Sequence, residues 1–195
     1  MIHNILKDYK VILASASPRR RQIFEMLGIK ALYLAANIDE PIGTQKPYVQ
    51  AKMHALNKAK AISKIVDTQS LIIASDTVVA TAEGLLGKPS SPSEAITYLG
   101  ILSGKTHFVY SAICIMQGKR MICDYERSSV TFDTLNESEI VDYVSTKEPM
   151  DKAGAYGIQG YGAQFIKSIS GCYFNVMGFP INLFYKMLKS FEEAK

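Results

Sequence analysis

Val11-Ile12-Leu13-Ala14-Ser15-Ala16-Ser17-Pro18-Arg19-Arg20-Arg21 is the stretch on which the reading of the whole chain turns. Its four leading apolar residues describe a short buried strand. Ser17 is a good N-cap, Pro18 suits the first helical position, and Ile23, Phe24 and Leu27 recur at helical spacing until Gly28. A strand that runs directly into a helix is the building unit of an α/β fold. It also collects unpaired backbone N–H groups and the positive end of a helix dipole in one small volume. Small residues there let an anion approach, and arginines fork onto phosphate oxygens. Arginine is disfavoured beside a positive helix end, so three in the first turn point to an anion partner; a capped helix with a solvated basic turn is the plainer alternative. The stretch contains neither G-x-x-x-x-G-K-[ST] nor G-x-G-x-x-G, which sets aside a P-loop and a Rossmann fingerprint.

The rest of the composition narrows the setting. With 195 residues, 48% hydrophobic and 21% charged, the chain is expected to be one domain spanning 1–195 rather than a disordered segment. The longest apolar run, Ala31 to Ala36, is far short of the roughly twenty residues of a membrane span. Lys10 before Val11 and the arginines after Ser17 leave no secretion signal. Cys114, Cys123 and Cys172 are odd in number, widely spaced and without a C-x-x-C pair, so they read as free thiols in a reducing compartment, and a cytoplasmic location is expected. Residues 1–30 carry six Lys/Arg against Asp8 and Glu25, which accounts for the whole net charge of +4. The balanced remainder argues against a nucleic-acid polymer as partner and for a local anion site near the start.

Further along, Val49, Met53, Leu56, Ala59, Ile62 and Val66 recur at three or four residues and predict one long amphipathic helix. Leu71 to Ala74 reads as a second buried strand, with Val78-Val79-Ala80 as its continuation past Asp76, and Ala82-Glu83-Gly84 as a hairpin turn. Ser91-Pro92-Ser93-Glu94 is a capping box opening a helix to Gly104. His107–Met116 and Arg120–Phe132 form two strands around Gln117-Gly118-Lys119, and Asn136 with Glu139 caps a helix near 137–146. Residues 150–163 are a glycine-rich loop, Gln164 to Ile169 a last strand, and Pro180 starts a closing helix. Alternating strands and helices with a hairpin in the middle predict an α/β fold with a mixed, twisted sheet flanked by helices.

Ser75-Asp76-Thr77, at the end of the apolar run Leu71–Ala74, is the second chemical candidate, because the carboxyl ends of strands face the ligand crevice in open α/β sheets. An acid there can hold a divalent cation or take a proton from water; an aspartate bonded to turn backbone is the alternative. Lys88 between Gly87 and Pro89 is a candidate phosphate clamp, while a solvated position is the ordinary reading of Lys58, and surface carboxylates that of Asp39 and Glu40. Gln159 in the glycine-rich loop can read a base edge, with Tyr156 or Tyr161 stacking on it. His3, His54 and His107 show no metal-ligand spacing, and no serine has a nucleophile arrangement.

Together, Leu13 to Arg20, Ser75 to Val79, Gly87-Lys88-Pro89, Leu102 to His107, Asp151 to Gly160 and Asn175 to Pro180 follow the order seen in Maf proteins. From about residue 11 to 189 the chain resembles this septum-formation-inhibitor-like family of nucleoside triphosphate pyrophosphatases. The resemblance implies a Maf/ITPase-like fold with a nucleotide-binding cleft, and hydrolysis of a nucleoside triphosphate between the α- and β-phosphates with a divalent cation, Mg2+ or Mn2+. Asp76 matches the family's catalytic acid, the proton acceptor. Arg19, Thr77 and Gln159 match the positions of the branch acting on dTTP and UTP rather than 7-methyl-GTP, with modified pyrimidine nucleotides as further candidates. Arg20, Lys58, Lys88 and Glu40 match positions lining the phosphate and metal site; Ser17 joins the phosphate-binding set, and Asp76 with Glu40 is the expected metal pair. Ser75 stands where the family has alanine, and an arginine expected between Tyr48 and Lys58 is missing. A homodimer is the family habit. The rival of a different class is a regulatory protein that senses a nucleotide without turning it over.

Overall fold

A computed structural model describes residues 1–194. It is an α/β fold with a seven-stranded mixed sheet flanked by helices. A short helix, α1 (Ile2–Leu6), leads into β1 (Val11–Ala14) and α2 (Pro18–Met26), as the opening stretch predicts. β2 is only Leu32–Tyr33, a fraction of the apolar run Ala31–Ala36. The long helix α3 covers Pro47–Ser63, and β3 (Leu71–Ala80) runs unbroken through Asp76. β4 (Leu85–Leu86), α4 (Pro92–Leu102), the hairpin β5 (Thr106–Gln117) and β6 (Arg120–Phe132), and α5 (Glu137–Ser145) follow. The glycine-rich segment is a chain of three 3₁₀ turns, after which come β7 (Ile166–Ser170), α6 (Tyr173–Val176) and α7 (Ile181–Glu193).

The sheet order is β2-β1-β3-β5-β6-β7, with β4 added to one end of β3. β1 is parallel to β2 and β3, whereas β5, β6 and β7 run antiparallel to their neighbours. Side chains alternate across the sheet as the period of two requires. Leu13, Leu71, Ile73, Ile113 and Ile115 pack on one face against α1, α2 and α7. Ile12, Ile72, Ala74, Ala112 and Cys114 pack on the other against α3. A further apolar cluster joins α4 and α5 to the far ends of β5 and β6 through Leu99, Val130, Phe132, Ile140 and Tyr143. Strands covered on both faces read as continuous apolar runs, which is why Leu71–Ala74 was legible without alternation.

Two corrections concern placement. Asp76 does not stand at the carboxyl end of its strand: β3 continues for four more residues. What ends is β1, whose ladder stops at Ala14 opposite Ala74, while β4 begins only opposite Val79. Ser75 to Val78 therefore form an open stretch of the central strand's edge, and the crevice lies there. The second correction is the face of α3. Ala59 and Ile62 are buried and Leu56 and Val66 pack against the core, as expected, but Val49 is exposed, and Ala51 and Ala55 together with Gln50, His54 and Lys58 are turned inward as well. Alanines let the helix lie close on the sheet, and that closeness rather than side-chain size decides which stripe is buried.

Candidate active site

The open edge of β3 forms the floor of a cleft of about 670 Å³, a size suited to a small ligand. Its walls come from the turn after β1, the loop before α3, the inner stripe of α3, the turn after β4 and the 3₁₀ segment. At one side, Ser17 sits at the N-cap of α2 but its side chain makes no capping bond. Its N–H donates instead to Ser15 Oγ at 3.1 Å, so the Ser17 hydroxyl is not spent on capping, and the residue lines the cleft at the positive end of the α2 dipole.

Arg20 is buried in the notch behind this turn. Its Nε donates to the Gly178 carbonyl at 2.8 Å, one terminal nitrogen to Thr77 Oγ1 at 3.0 Å and the other to Ser15 Oγ at 3.3 Å. Ser75 Oγ also donates to the Gly178 carbonyl at 3.0 Å. That carbonyl is held in place from both directions. Asn175 anchors α6 to the sheet by accepting from Ser111 N–H and donating to the Val109 carbonyl and Ser128 Oγ. Phe179 packs with Phe24 and Phe184 at ring distances of 5.2 and 5.1 Å, tying the loop to α2 and α7. Burial lowers the Arg20 pKa, with the charge of Asp76 opposing the effect. Arg19 lies further out, paired with Asp151 at 3.2 Å.

On the opposite face of β3, Asp76 is almost fully buried beneath α3. Lys58 Nζ donates to Asp76 Oδ1 at 2.6 Å and lies 2.9 Å from Glu40 Oε1, so the two carboxylates share one ammonium. His54 Nδ1 meets Asp76 Oδ2 at 3.2 Å. Burial alone would raise the Asp76 carboxyl, but the His54 hydrogen bond and the charges of Lys58 and Arg20 outweigh it and hold the group well below the usual carboxylate range. The same bond, working against burial, raises the His54 pKa. An isolated buried carboxylate would cost several kcal/mol, so its ionised form depends on these partners.

Lys58 is thus not the solvated helix lysine that its residue type suggests. His54, set aside on spacing, belongs to the site: one donor atom from each of Glu40, His54 and Asp76 lies within 4.8 Å of the others. The signal was present, since Gln50, His54 and Lys58 recur every fourth residue and make one stripe of the helix. Gln50 Nε2 and His54 Nε2 are buried with no hydrogen-bond partner among the described residues, although Gln50 Oε1 accepts from Gly43 N–H at 2.8 Å. Ser17, Arg19, Arg20, Glu40, Lys58, Asp76, Thr77 and Lys88 all line the cleft. Gln159 does not: its neighbour Ile158 lines the wall, while Gln159 itself is exposed. Tyr156 lies against His107, donating or accepting at 2.8 Å, and burial pushes that histidine's pKa down to about 4.

The family described as Maf-like protein matches residues 10–191 of this chain. A Bacillus cytotoxicus protein named dTTP/UTP pyrophosphatase is 41% identical over 186 residues, which is 95% of this chain and 97% of that one. A Bacillus cereus (strain AH820) protein of the same name is 42% identical over 184 residues, covering 94% and 96%. Among solved structures, a HAM1 protein from Coxiella burnetii is similar at a TM-score of 0.44 and 15% identity, over 77% of this chain and 88% of that chain.

Proposed function

The chain belongs to the Maf-like protein family, and from that membership we propose that it hydrolyses dTTP and UTP to the nucleoside monophosphate and pyrophosphate. The whole chain acts as one catalytic unit. The observation that carries the reading is Asp76, an ionised carboxylate buried on the open edge of β3, in the same cleft as a helix N-terminus and Arg19, Arg20, Lys58 and Lys88. A protein that only senses an anion needs the cations; it has no use for a buried base among them.

In this reading Ser17, the first-turn N–H groups of α2, Arg19, Arg20 and Lys88 take the triphosphate oxygens. Lys58 counters the charge of Asp76 and Glu40 and contributes to the phosphate-facing cations. Asp76 accepts the proton of the water that attacks the α-phosphorus in line with the departing pyrophosphate. Arg20, fastened to Gly178 and Thr77, keeps its position as charge moves onto the leaving group, so little reorganisation is needed. Arg19, Thr77 and Gln159 set the preference for dTTP and UTP; Gln159 reaches the base from the rim of the cleft.

The donor set fits a divalent cation. Glu40 and Asp76 supply oxygens, and the buried His54 Nε2 has no partner among the described residues. When bound, Mg2+ or Mn2+ supplies Lewis-acid charge at the phosphates. No helix of the described residues is long and apolar enough to cross a membrane, and the charge balance favours a free nucleotide over a polymer.

The test is to incubate the purified protein with a panel of nucleoside triphosphates, with and without Mg2+ or Mn2+, and to separate the products. UMP and dTMP with pyrophosphate are expected. Preference for 7-methyl-GTP would overturn the roles of Arg19, Thr77 and Gln159. Release of orthophosphate would overturn the bond assigned, and nucleotide binding without turnover would favour the sensor.

A further inference from the structure

Cys114 and Cys123 are nine positions apart in the chain yet stand directly opposite each other in the β5–β6 ladder. The turn of this hairpin is the two residues Gly118-Lys119; Gly118 has φ +55°, as the first position of a type II′ turn requires. The residues flanking a two-residue turn, Gln117 and Arg120, form a hydrogen-bonded pair, and paired positions alternate from there. Met116–Met121 is then non-hydrogen-bonded, Ile115–Ile122 hydrogen-bonded, and Cys114–Cys123 non-hydrogen-bonded again. In a non-hydrogen-bonded pair the Cα atoms are about 4.5 Å apart with side chains on the same face, within the range a disulfide spans. The backbone therefore already has the separation a bond between these two sulfurs needs.

The two thiols differ in a way that assigns them different parts. Cys114 is fully buried, packed with Ala74, Ala112 and the alanine stripe of α3. Cys123 is half-buried at the margin of that layer, so a small solute reaches it first. The facing Cys114 thiol lowers the Cys123 pKa and so favours its thiolate; burial and the charge of Asp124 oppose this, and Lys52 and Lys60 on α3 add to it. Cys172 is remote from both. It caps α6 and is bonded to Ser128, five residues further along β6 than Cys123, or about 17 Å at the rise of a strand.

We propose that Cys114 and Cys123 are a reversible oxidation site for hydrogen peroxide or another hydroperoxide, with Cys123 the attacking sulfur and Cys114 the resolving one. The Cys123 sulfur attacks a peroxide oxygen, the O–O bond breaks, and water leaves as the sulfur becomes a sulfenic acid. The Cys114 sulfur then attacks the Cys123 sulfur; the S–O bond breaks, the S–S bond forms, and the Cys114 proton leaves with the oxygen as a second water. Two thiols and one peroxide give one disulfide and two waters, the peroxide being the species reduced. Because the resolving thiol stands directly opposite its partner in the ladder, the oxidation stops at the disulfide and spares Cys123 the irreversible sulfinic stage.

The experiment treats the full chain with a modest excess of hydrogen peroxide, then measures intact mass, titratable thiols and the linked peptides. The expected result is a loss of about 2 Da, a fall from three titratable thiols to one, a Cys114–Cys123 linked peptide, and reversal by dithiothreitol. Cys172→Ser should show the same mass loss. Cys123→Ser, at the half-buried position, should abolish it, whereas Cys114→Ser should accumulate oxygen on Cys123 in steps of about 16 Da. Three titratable thiols after treatment, oxygen adducts without a disulfide in the unaltered chain, or a disulfide through Cys172 would each overturn the proposal.

Discussion

Substituting Gly178 by alanine tests the reasoning about the cleft floor, because the size and sign of its effect follow from the geometry. The Gly178 carbonyl receives Arg20 Nε and Ser75 Oγ, and its φ of +103° is a conformation that residues with a Cβ rarely adopt. An added Cβ would also lie 3.1 Å from Thr77 Oγ1, which itself bonds Arg20 and Ser111 and has little room to yield. Holding a non-glycine residue in such a conformation costs about 1–3 kcal/mol. For a chain of this length each kcal/mol moves Tm by about 2–4 °C, so Gly178→Ala should lower Tm by roughly 2–12 °C. Gly100→Ala provides the opposite sign. Gly100 is an exposed residue within α4 with open space where its Cβ would be, and alanine there should raise stability by about 0.5–1 kcal/mol. Both variants are measured by thermal unfolding followed by far-ultraviolet circular dichroism, with dTTP turnover in parallel. Gly178→Ala should also lose activity, because its relaxation re-aims Arg20, while Gly100→Ala should not. A Gly178→Ala protein as stable as the parent, or two variants that move in the same direction, would refute the account of the floor.

Asp76→Asn removes the proposed proton acceptor and should reduce turnover by about 10²–10⁴-fold with an unchanged circular dichroism spectrum; retained activity would reject Asp76 as the base. The raised pKa of His54 means that its bond to Asp76 stabilises the fold fully below the unfolded value of about 6.5 and fades as pH rises through the folded one. His54→Gln should therefore flatten the fall of Tm above about pH 6.5, and parallel curves for the two proteins would contradict the pairing. Gln159→Ala, at an exposed position, should change stability by no more than about 0.5 kcal/mol while shifting the ratio of dTTP to 7-methyl-GTP hydrolysis. An unaltered ratio would remove Gln159 from the specificity set.

Local chemistry made much of the fold legible. Val11–Ala14 and the helix at Pro18 follow from a four-residue apolar run, a proline and a C-terminal glycine, all of which act within a few residues. The capping box of Asn136 and Glu139 is complete, and the Ser91 side chain accepts from Glu94 N–H, as the residue pattern predicts. The sheet's mixed character followed from the hairpin around Gly118, although the turn proved one residue tighter than Gln117-Gly118-Lys119. Each of these features is decided by neighbours in sequence.

The chemistry of the cleft is decided otherwise. No spacing within the chain says that β1 stops opposite Ala74 and β4 starts opposite Val79, yet that gap is what opens the edge of β3 at Asp76. The spacing of Gln50, His54 and Lys58 puts them on one stripe, but that the stripe is buried was out of reach, because a polar residue is buried only where a partner in another element offsets the loss of water. Asp76 is that partner, supplied from a strand that follows α3 in the chain, and the alanines of α3 bring the two within bonding distance. Hydrophobic periodicity counts apolar side chains only, so it found Ala59 and Ile62 of the buried face but passed over the adjoining stripe of Gln50, His54 and Lys58 that carries the site. Residue type along the chain pointed to an α/β protein with an anion site near its start, and the motif order shared with Maf proteins placed Asp76 at the centre of a nucleotide site; pairing between distant elements determined which charges stand around that carboxylate, because only folding removes them from water together.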